Sequence, residues 1–209
     1  MIERVVTSGT FSLDGSDFEV ENNIWIVGDE RQVVVIDAAH DHRPIAEAVG
    51  DRDTVAIIAT HGHNDHINAA AALADVVGAP IWLHPEDMML WRAVYPDRVP
   101  DRFLADGMSV SVGATTLGVI HTPGHSLGGC CLYDADSGVV FSGDTLFNGG
   151  PGATGRSFSD FDTIVSSIED RLLVLPAVTR VLTGHGEETT IGAEAPHLPE
   201  WLSDHERAG

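Results

Sequence analysis

Four residues that can bind a metal ion lie close together in the sequence His61-Gly62-His63-Asn64-Asp65-His66. They directly follow residues 54–60 (TVAIIAT), an apolar run typical of a buried central strand. Imidazole nitrogens and carboxylate oxygens together suit zinc, iron or manganese. Two neighbouring histidines often occur on a surface, but three histidines and an aspartate at the end of a strand indicate a metal site.

Three further candidate ligands also follow predicted strands, and each has a glycine directly before it. His125 ends the sequence HTPGH, Asp144 ends FSGD, and His185 ends LTGH. Glycine allows the sharp turn that a strand end needs at such a place. Any one of these residues alone would be interpreted as part of a turn. Together with the first motif they provide five histidines and two aspartates, enough for two ions that share one carboxylate.

The elements that must position these residues are short strands and helices. Strands are predicted over residues 18–27, 33–37, 54–60, 81–83, 108–112, 115–121, 130–133, 139–142 and 180–183. Helices are predicted over residues 44–50, 69–77 and 85–91, over 161–175 with Ser159 or Asp160 as the N-cap, and from Ile191 onward. Strands followed by a helix, twice over, predict two packed sheets covered by helices.

Composition limits the function classes. The 209 residues are 43% hydrophobic and predict one domain over residues 1–209. The net charge is −21 and every cation is Arg, so we expect no binding to nucleic acid or to an anionic membrane.

The start MIERVVTSGTF does not resemble a signal peptide, and the adjacent Cys130 and Cys131 offer no disulfide framework. These features predict a cytoplasmic protein, whose oligomeric state the sequence leaves open.

The strings THGHNDH, HTPGHS, FSGDTLF and TGHGEETTIG resemble the motifs of the metallo-β-lactamase superfamily, and within it those of the glyoxalase II-like hydrolases. They extend from residue 60 to residue 192, which is most of the chain. The resemblance implies an α/β (α+β) fold, namely an αββα sandwich of two mixed β-sheets flanked by helices. It also implies that the metals lie at the edge of the sheets.

The same resemblance implies a role for each candidate ligand. One ion would be held by His61, His63 and His125, the other by Asp65, His66 and His185, with Asp144 bridging the two. Asp65 and Asp144 would belong to the catalytic machinery, and Asp37 would support the ligands from behind. The expected cofactor is a pair of divalent metal ions, with zinc as the first expectation and iron or manganese as alternatives.

The function implied is hydrolysis of a thioester by a hydroxide that bridges the two metals. A thiol leaves with a pKa of about 8.5, so this reaction needs no strong general acid. The expected partner is a small acyl thioester of a low-molecular-weight thiol. Larger glyoxalase II enzymes hold glutathione with basic residues of an added C-terminal domain, whereas only 24 residues follow His185 here, with one Arg and no Lys. The glutathione site is therefore not carried over, and a different thiol is expected.

Several alternatives stay open or are outweighed. A persulfide dioxygenase would use a single iron held by His61, His125 and Asp144, and lactone hydrolysis is also open.

The sequence Gly124-His125-Ser126-Leu127-Gly128 matches the G-x-S-x-G motif of serine hydrolases, but that motif requires a helix after the serine and a strand follows here. Arg156, after the glycine-rich residues 148–155, is expected either to contact an anionic substrate or to have a structural role. The remaining histidines show no ligand pattern: His40, His42, His84, His121, His197 and His205.

Overall fold

Two six-stranded β-sheets pack face to face in the computed structural model, which describes residues 1–208 apart from the side chains of residues 206 and 208. The first sheet contains, in spatial order, β1 (Ile2–Leu13), β2 (Ser16–Gly28), β3 (Gln32–Ile36), β4 (Asp53–Ile58), β5 (Ile81–Leu83) and β6 (Arg102–Phe103). The second contains β7 (Ser109–Val112), β8 (Thr115–His121), β9 (Cys130–Asp134), β10 (Val139–Gly143), β13 (Arg180–Thr183) and β14 (Thr189–Thr190). Two short strands that lie between β10 and β13 in the sequence, β11 (Leu146–Phe147) and β12 (Gly150–Pro151), pair with each other.

Both sheets are mixed. Strands β3 to β6 run parallel, while β1, β2 and β3 pair antiparallel. In the second sheet β10 and β13 run parallel and the other pairs are antiparallel. Parallel neighbours bring their carboxyl ends to the same sheet edge, which is where loops with functional side chains can meet.

Helices cover the outer faces of both sheets. They are α1 (His42–Val49), α2 (Asn64–Ile67), α3 (Ala70–Val77), α4 (Met88–Val94), α5 (Phe161–Ser167), α6 (Ile191–Glu194) and α7 (Leu198–Ala208). Short 3-10 turns at Pro85–Asp87 and Ala195–His197 precede α4 and α7, and a π-helical turn at Ile168–Leu172 continues α5. The side chain of Asp41 caps α1 by accepting a hydrogen bond from Arg43 N, and Asp160 caps α5 through Thr163 N.

Alternate residues of the strands face different layers, as the pleat of a strand requires. Val33 and Val35 of β3 pack among residues of the α1 and α3 helices, whereas Val34 and Ile36 face the second sheet. Phe141 of β10 likewise faces the first sheet, and the neighbouring Val140 packs against α5. The order of layers is helix, sheet, sheet, helix, which confirms the predicted αββα sandwich.

The structure corrects several predicted bounds. Strand β1 was not predicted at all, and β4 covers Asp53–Ile58 rather than residues 54–60. Helix α1 begins at His42, two residues before the predicted start at Pro44, because Asp41 provides the cap. The helical pattern over residues 161–175 ends as a π-helical turn at Leu172, and its cap is Asp160. Within residues 1–208, no helix combines the length and the apolar character needed to cross a membrane.

Candidate metal centre

All seven predicted ligands come together where strands of the two sheets end. His61 and His63 lie in the turn between β4 and α2, and the other segments follow β8, β10 and β13. Backbone hydrogen bonds fix these segments to one another: Cys130 N donates to Thr60 O at 2.8 Å, and Gly184 N donates to Gly143 O at 2.9 Å. The strand-then-turn pattern thus converges on one place, although the ligands are spread over 125 residues of sequence, from His61 to His185.

The first group contains three imidazole rings whose nitrogens face one another. His61 Nε2 lies 2.9 Å from His63 Nδ1, and His63 Nδ1 lies 3.0 Å from His125 Nε2. Two donors that are each about 2.0–2.1 Å from a tetrahedral ion lie roughly 3.3 Å apart. The spacing of the three nitrogens is therefore close to that of ligands on one ion.

The second group combines two imidazoles and a carboxylate. His66 Nε2 and His185 Nε2 are 3.2 Å apart, and Asp65 Oδ2 is 3.2 Å from His185 Nε2 and 3.6 Å from His66 Nε2. All three side chains are buried or partly buried, with His66 completely enclosed.

Asp144 lies between the two groups. Its Oδ1 is 3.4 Å from His66 Nε2, and its Oδ2 is 3.4 Å from His185 Nε2 and 3.6 Å from His125 Nε2. This carboxylate reaches both groups, as a bridging ligand must. Gly184 permits the approach, because a Cβ at that position would collide with Asp144 Oδ1 and the ring of His66.

The outer nitrogens of four imidazoles are held by hydrogen-bond acceptors. His66 Nδ1 donates to Asp37 Oδ2 at 3.0 Å, His125 Nδ1 to Ala153 O at 2.8 Å, His185 Nδ1 to Glu21 O at 2.7 Å and His61 Nδ1 to Thr60 Oγ1 at 3.1 Å. With the proton on Nδ1, each neutral ring keeps a lone pair on Nε2, the nitrogen that points into the cluster. Histidine ligands of metals are commonly oriented in this way.

The inward-facing atoms are therefore almost all acceptors, which favours a bound cation. Asp65 Oδ1, Asp144 Oδ1 and His63 Nε2 are buried and have no hydrogen-bond partner among the described residues. Buried carboxylates without a counter-charge are strongly unfavourable. The donor set, its spacing and these unpaired oxygens all fit divalent metal ions.

The two groups differ in charge. Burial, reinforced by the neighbouring imidazole of His66, lowers the pKa of His61 well below its usual value, and burial lowers the pKa of His63 to about 3. These rings are thus neutral, the form in which a histidine binds a metal.

In the second group the carboxylates dominate. Burial opposes the charged form of His66, but nearby carboxylates, Asp144 foremost, outweigh it and raise its pKa well above the usual value. The pKa of His185 is raised to about 10, again against burial, with Asp144 the largest favourable influence. The negative charge that attracts a proton to these rings would attract a divalent cation equally.

Asp37 supports the centre from behind. Its Oδ1 accepts from Thr60 N at 2.7 Å, and its Oδ2 accepts from Thr60 Oγ1 at 2.8 Å as well as from His66. Asp37 adopts a φ of 59°, which is unusual for a residue other than glycine. The carboxylate thereby fixes both the His66 ring and the turn that leads to His61.

Asp87 is a buried carboxylate that the motifs did not indicate. Its Oδ2 accepts from Gly62 N and from Ser126 Oγ, both at 2.8 Å, and its Oδ1 accepts from Gly128 N at 2.7 Å. Gly62 separates His61 from His63, and Ser126 follows His125. Asp87 therefore joins the two loops that carry the first group of ligands.

Asn22 is a second residue that sequence reasoning missed. It is fully buried, and its Nδ2 donates to Asp65 Oδ2 at 3.1 Å. Its Oδ1 lies 2.8 Å from His40 Nε2, so His40 lies behind the centre. No motif surrounds Asn22 in the sequence, so no local signal could have identified it.

A cavity of about 220 Å³ opens above the ligands. It is lined by Phe11, Val20, Phe147 and Ala153 together with five of the candidate ligands: His63, Asp65, His125, Asp144 and His185. Phe11 and Val20 come from the hairpin formed by β1 and β2, which overhangs the centre.

Arg156 braces this hairpin. Its guanidinium lies 4.8 Å from the ring centre of Phe18 and 6.0 Å from that of Phe11, and Nη1 donates to Leu13 O at 3.5 Å. Of the two roles expected for Arg156, these contacts favour the structural one.

The comparisons with known proteins agree with this fold. The family model described as "Metallo-beta-lactamase superfamily" matches residues 18–185. An uncharacterized protein of Aquifex aeolicus is 34% identical over 190 residues, which cover 85% of this chain and 90% of that protein. The hydroxyacylglutathione hydrolase GloC of Haemophilus influenzae is 31% identical over 192 residues, which cover 84% and 89%.

Three solved structures are similar over most of their length. The B3 metallo-beta-lactamase BLEG-1 has a TM-score of 0.79 at 28% identity, covering 93% of this chain and 99% of that one. TTHA1623 in a di-iron-bound form has a TM-score of 0.76 at 33% identity, covering 84% and 93%. ETHE1 from Myxococcus xanthus has a TM-score of 0.72 at 25% identity, covering 94% and 85%.

Proposed function

The chain belongs to the metallo-beta-lactamase superfamily, and we propose that it is a two-metal hydrolase that cleaves acyl thioesters of a low-molecular-weight thiol. Members of this superfamily are mostly metal-dependent hydrolases, and the fold binds divalent metals. The proposal adds the number of ions, the reaction and the class of substrate.

In this proposal His61, His63 and His125 hold one ion, Asp65, His66 and His185 hold the other, and Asp144 contacts both. When bound, the ions supply the Lewis acidity that makes water a good nucleophile near neutral pH and polarises a carbonyl oxygen. Zinc is the proposed metal because three of the donors in one group are imidazoles. The similarity to a di-iron-bound structure keeps iron as the alternative.

The lining of the cavity above the centre is the observation that carries the proposal. Its ionisable side chains are all candidate metal ligands, and its other lining residues are Phe11, Val20, Phe147 and Ala153. Such a site has no separate side chain to protonate a leaving group. A thiolate leaves readily without protonation because thiol pKa values lie near 8.5, whereas an alkoxide or an amide nitrogen is a much poorer leaving group unless it is protonated.

The size of the cavity suits the acyl part of such a substrate. A volume of about 220 Å³ is small for a whole conjugate, since complete ligand pockets usually measure roughly 300–1,000 Å³. We therefore place the acyl group inside, against Phe11 and Phe147, and the thiol part towards the solvent. Water adds to the acyl carbon, the carbon–sulfur bond breaks, and its electron pair leaves with sulfur.

Two relatives bear on the proposed reaction, one in favour of thioester hydrolysis and one in favour of the alternative. The name of the GloC relative, hydroxyacylglutathione hydrolase, describes cleavage of a thioester, at 31% identity. The likeness to ETHE1 is compatible with a mononuclear-iron persulfide dioxygenase, which is the second candidate function. Opening of a lactone or a β-lactam is disfavoured because, among the described residues that line the cavity, every ionisable side chain is a candidate metal ligand and none is a separate proton donor.

The experiment compares reactions on protein loaded separately with zinc, iron or manganese. The substrates are a panel of small acyl thioesters that differ in acyl group and thiol, a β-lactam, a lactone and a low-molecular-weight persulfide. Thiol release is measured for the first, ring opening for the next two, and oxygen uptake for the last. Cys130 and Cys131 are buried, and burial raises the pKa of both thiols, so the protein's own cysteines contribute little to the thiol signal.

We expect kcat/KM for the best thioester to exceed that for the β-lactam and the lactone by at least about tenfold, equivalent to roughly 1.4 kcal/mol of transition-state stabilisation. Faster ring opening than thiol release would overturn the thioester proposal. Oxygen uptake with the persulfide, in the iron-loaded protein alone, would favour the dioxygenase.

A further inference from the structure

A second cluster of possible metal ligands lies outside the centre described above. It consists of His84, directly after β5, Glu86, in the following turn, and His121, the last residue of β8. One ligand atom of each residue lies within 4.8 Å of the others. Because β5 belongs to the first sheet and β8 to the second, this cluster connects the two sheets.

We propose that His84, Glu86 and His121 form a peripheral site for a divalent transition-metal ion of the zinc class. Two imidazoles and one carboxylate are a donor set that zinc accepts, with water completing the coordination. No motif in the sequence relates these residues, since 37 positions separate the two histidines.

One pair of ligand atoms already has nearly the spacing found on a bound ion. His121 Nε2 lies 3.5 Å from Glu86 Oε2, close to the roughly 3.3 Å that separates two ligands on a tetrahedral zinc. The rings of His84 and His121 are stacked almost parallel, with 17° between their planes and 4.2 Å between their centres, so one ring has to turn before both direct a nitrogen at the same ion. His121, whose side chain is 22% exposed, can make this turn. The side chain of Glu86 is 58% exposed, so it can complete the approach by rotating at little cost.

The imidazole of His84 is poorly satisfied by the protein groups that the structure describes. His84 is only 8% exposed, and within the described residues its ring makes one hydrogen bond, a long one of 3.4 Å from Glu86 N to Nδ1.

The backbone around His121 is also held firmly. Asp106 accepts a hydrogen bond from His121 N at 2.9 Å, and the same carboxylate pairs with Arg171 at 2.7 Å. The His121 ring donates from Nε2 to Leu127 O at 3.0 Å, so an ion that bound Nε2 would compete with this single hydrogen bond.

The site would act on the loops of the catalytic centre through stability. Glu86 directly precedes Asp87. Asp87 accepts hydrogen bonds from Ser126 and Gly128, the two neighbours of Leu127 in the sequence. An ion at the peripheral site would therefore tie the segment that carries Asp87 to His121, at the end of the strand from which the loop of His125 starts. An ion that binds only the folded chain raises the free energy of unfolding, and with it the melting temperature, with the logarithm of the free zinc concentration once that exceeds Kd.

The test uses the full-length protein with its catalytic centre loaded, dialysed against zinc. Metal content per chain and melting temperature are compared for the wild type, His121→Gln, Glu86→Gln and His197→Gln. His197 is the matched control, because it also lies beside a glutamate, with Glu200 at 2.9 Å. Among the described residues this pair belongs to no group of three possible metal ligands. Glu86→Gln changes an exposed side chain, so it keeps the test valid if His121→Gln folds poorly.

We expect the wild type and His197→Gln to bind one more equivalent of zinc than the other two variants, and to melt at a higher temperature when zinc is added. Affinity for this equivalent should fall at least about tenfold in His121→Gln and in Glu86→Gln. Equal zinc content and equal thermal response in all four proteins would overturn the proposal. All four proteins have the same catalytic centre. A difference in zinc content or melting temperature between them therefore tests the peripheral site and does not depend on the proposed reaction.

Discussion

The hydroxyl of Ser126 donates a 2.8 Å hydrogen bond to Asp87 Oδ2. Ser126 is completely buried, and within the described residues no histidine forms a hydrogen bond with it. A serine nucleophile needs a base at its hydroxyl and access to the substrate. The match of Gly124–Gly128 to G-x-S-x-G therefore reflects a structural serine, and β9 rather than a helix follows it.

We predict that Ser126→Ala keeps most of the hydrolytic activity and loses stability. Asp87 would lose one of its three donors in a buried place, which costs about 1–3 kcal/mol in the free energy of unfolding. Denaturant unfolding measures the stability, and kcat/KM with the best thioester measures the activity. A chelator should abolish turnover of both proteins, whereas inactivation by a serine-directed phosphonate would contradict the assignment.

Asp87→Asn should have the larger effect on catalysis. The carboxylate accepts from Gly62 N, Ser126 Oγ and Gly128 N, and an amide would turn its NH₂ group towards at least one of these donors. The loops that carry His61, His63 and His125 would then shift. Loss of groups that orient metal ligands commonly costs 10–100-fold in metal affinity or activity, and we expect a loss of about that size in both.

Ser126→Ala is the control for this variant, because it removes one contact of Asp87 and keeps the charge. If Asp87→Asn retained wild-type metal affinity and activity while unfolding more easily, Asp87 would serve stability alone. Metal affinity is measured by competition with a chelator of known strength.

The sequence predicted the seven candidate ligands because each belongs to a short local pattern of strand, small residue and ligand. The order of strands and helices predicted two packed sheets covered by helices, and the family resemblance implied the αββα sandwich. Val33–Ile36 of β3 and Val139–Phe141 of β10 are apolar on both faces, as strands between two layers must be. That these ligands do bind metal in solution stays a prediction.

Residues whose partners are distant in sequence could not be predicted in this way. Asp87 lies 39 positions from Ser126, and Asn22 lies 43 from Asp65, so neither is near a motif. Strand β1 escaped prediction because its residues are largely exposed or half-buried on both faces and show no clear apolar alternation. β1 is a strand because its backbone pairs with that of β2, and the sequence of β1 alone does not indicate this pairing.

Arg156 offers a test of how the hairpin shapes the cavity. Its guanidinium stacks on Phe18 and Phe11, and a cation–π contact is worth about 0.5–1 kcal/mol at an exposed site. We predict that Arg156→Gln raises KM a few-fold with little change in kcat, because Phe11 forms part of the cavity wall.

Arg156→Lys separates bracing from substrate binding. Lysine keeps the charge but loses the planar group that stacks on the rings, so it should restore little of the lost KM if Arg156 acts through the hairpin. The same loss should appear with charged and uncharged thioesters. Full rescue by lysine, for anionic substrates only, would assign Arg156 to substrate binding instead.

The last prediction concerns the number of ions that catalysis requires. His66 belongs to the second group of ligands, whereas Asp144 Oδ1 lies 3.4 Å from His66 Nε2 and its Oδ2 lies 3.6 Å from His125 Nε2. Removing His66 thus affects one ion, and changing Asp144 affects both. In a mononuclear enzyme that used only His61, His125 and Asp144, the loss of His66 would leave every ligand in place.

We therefore expect two metals per chain in the wild type at the catalytic centre, close to one in His66→Ala, and a fall in kcat/KM of tens of fold or more in that variant. Asp144→Asn should lose more activity than His66→Ala, because it weakens the ligand that the two ions share. His197→Ala is the control for loss of a histidine, since His197 is exposed and, within the described residues, pairs with Glu200 alone. Metal analysis and steady-state kinetics on the same preparations measure both effects. A wild type with a single iron, together with a fully active His66→Ala, would exclude the two-metal hydrolase, because in that protein the second group of ligands contributes nothing to turnover.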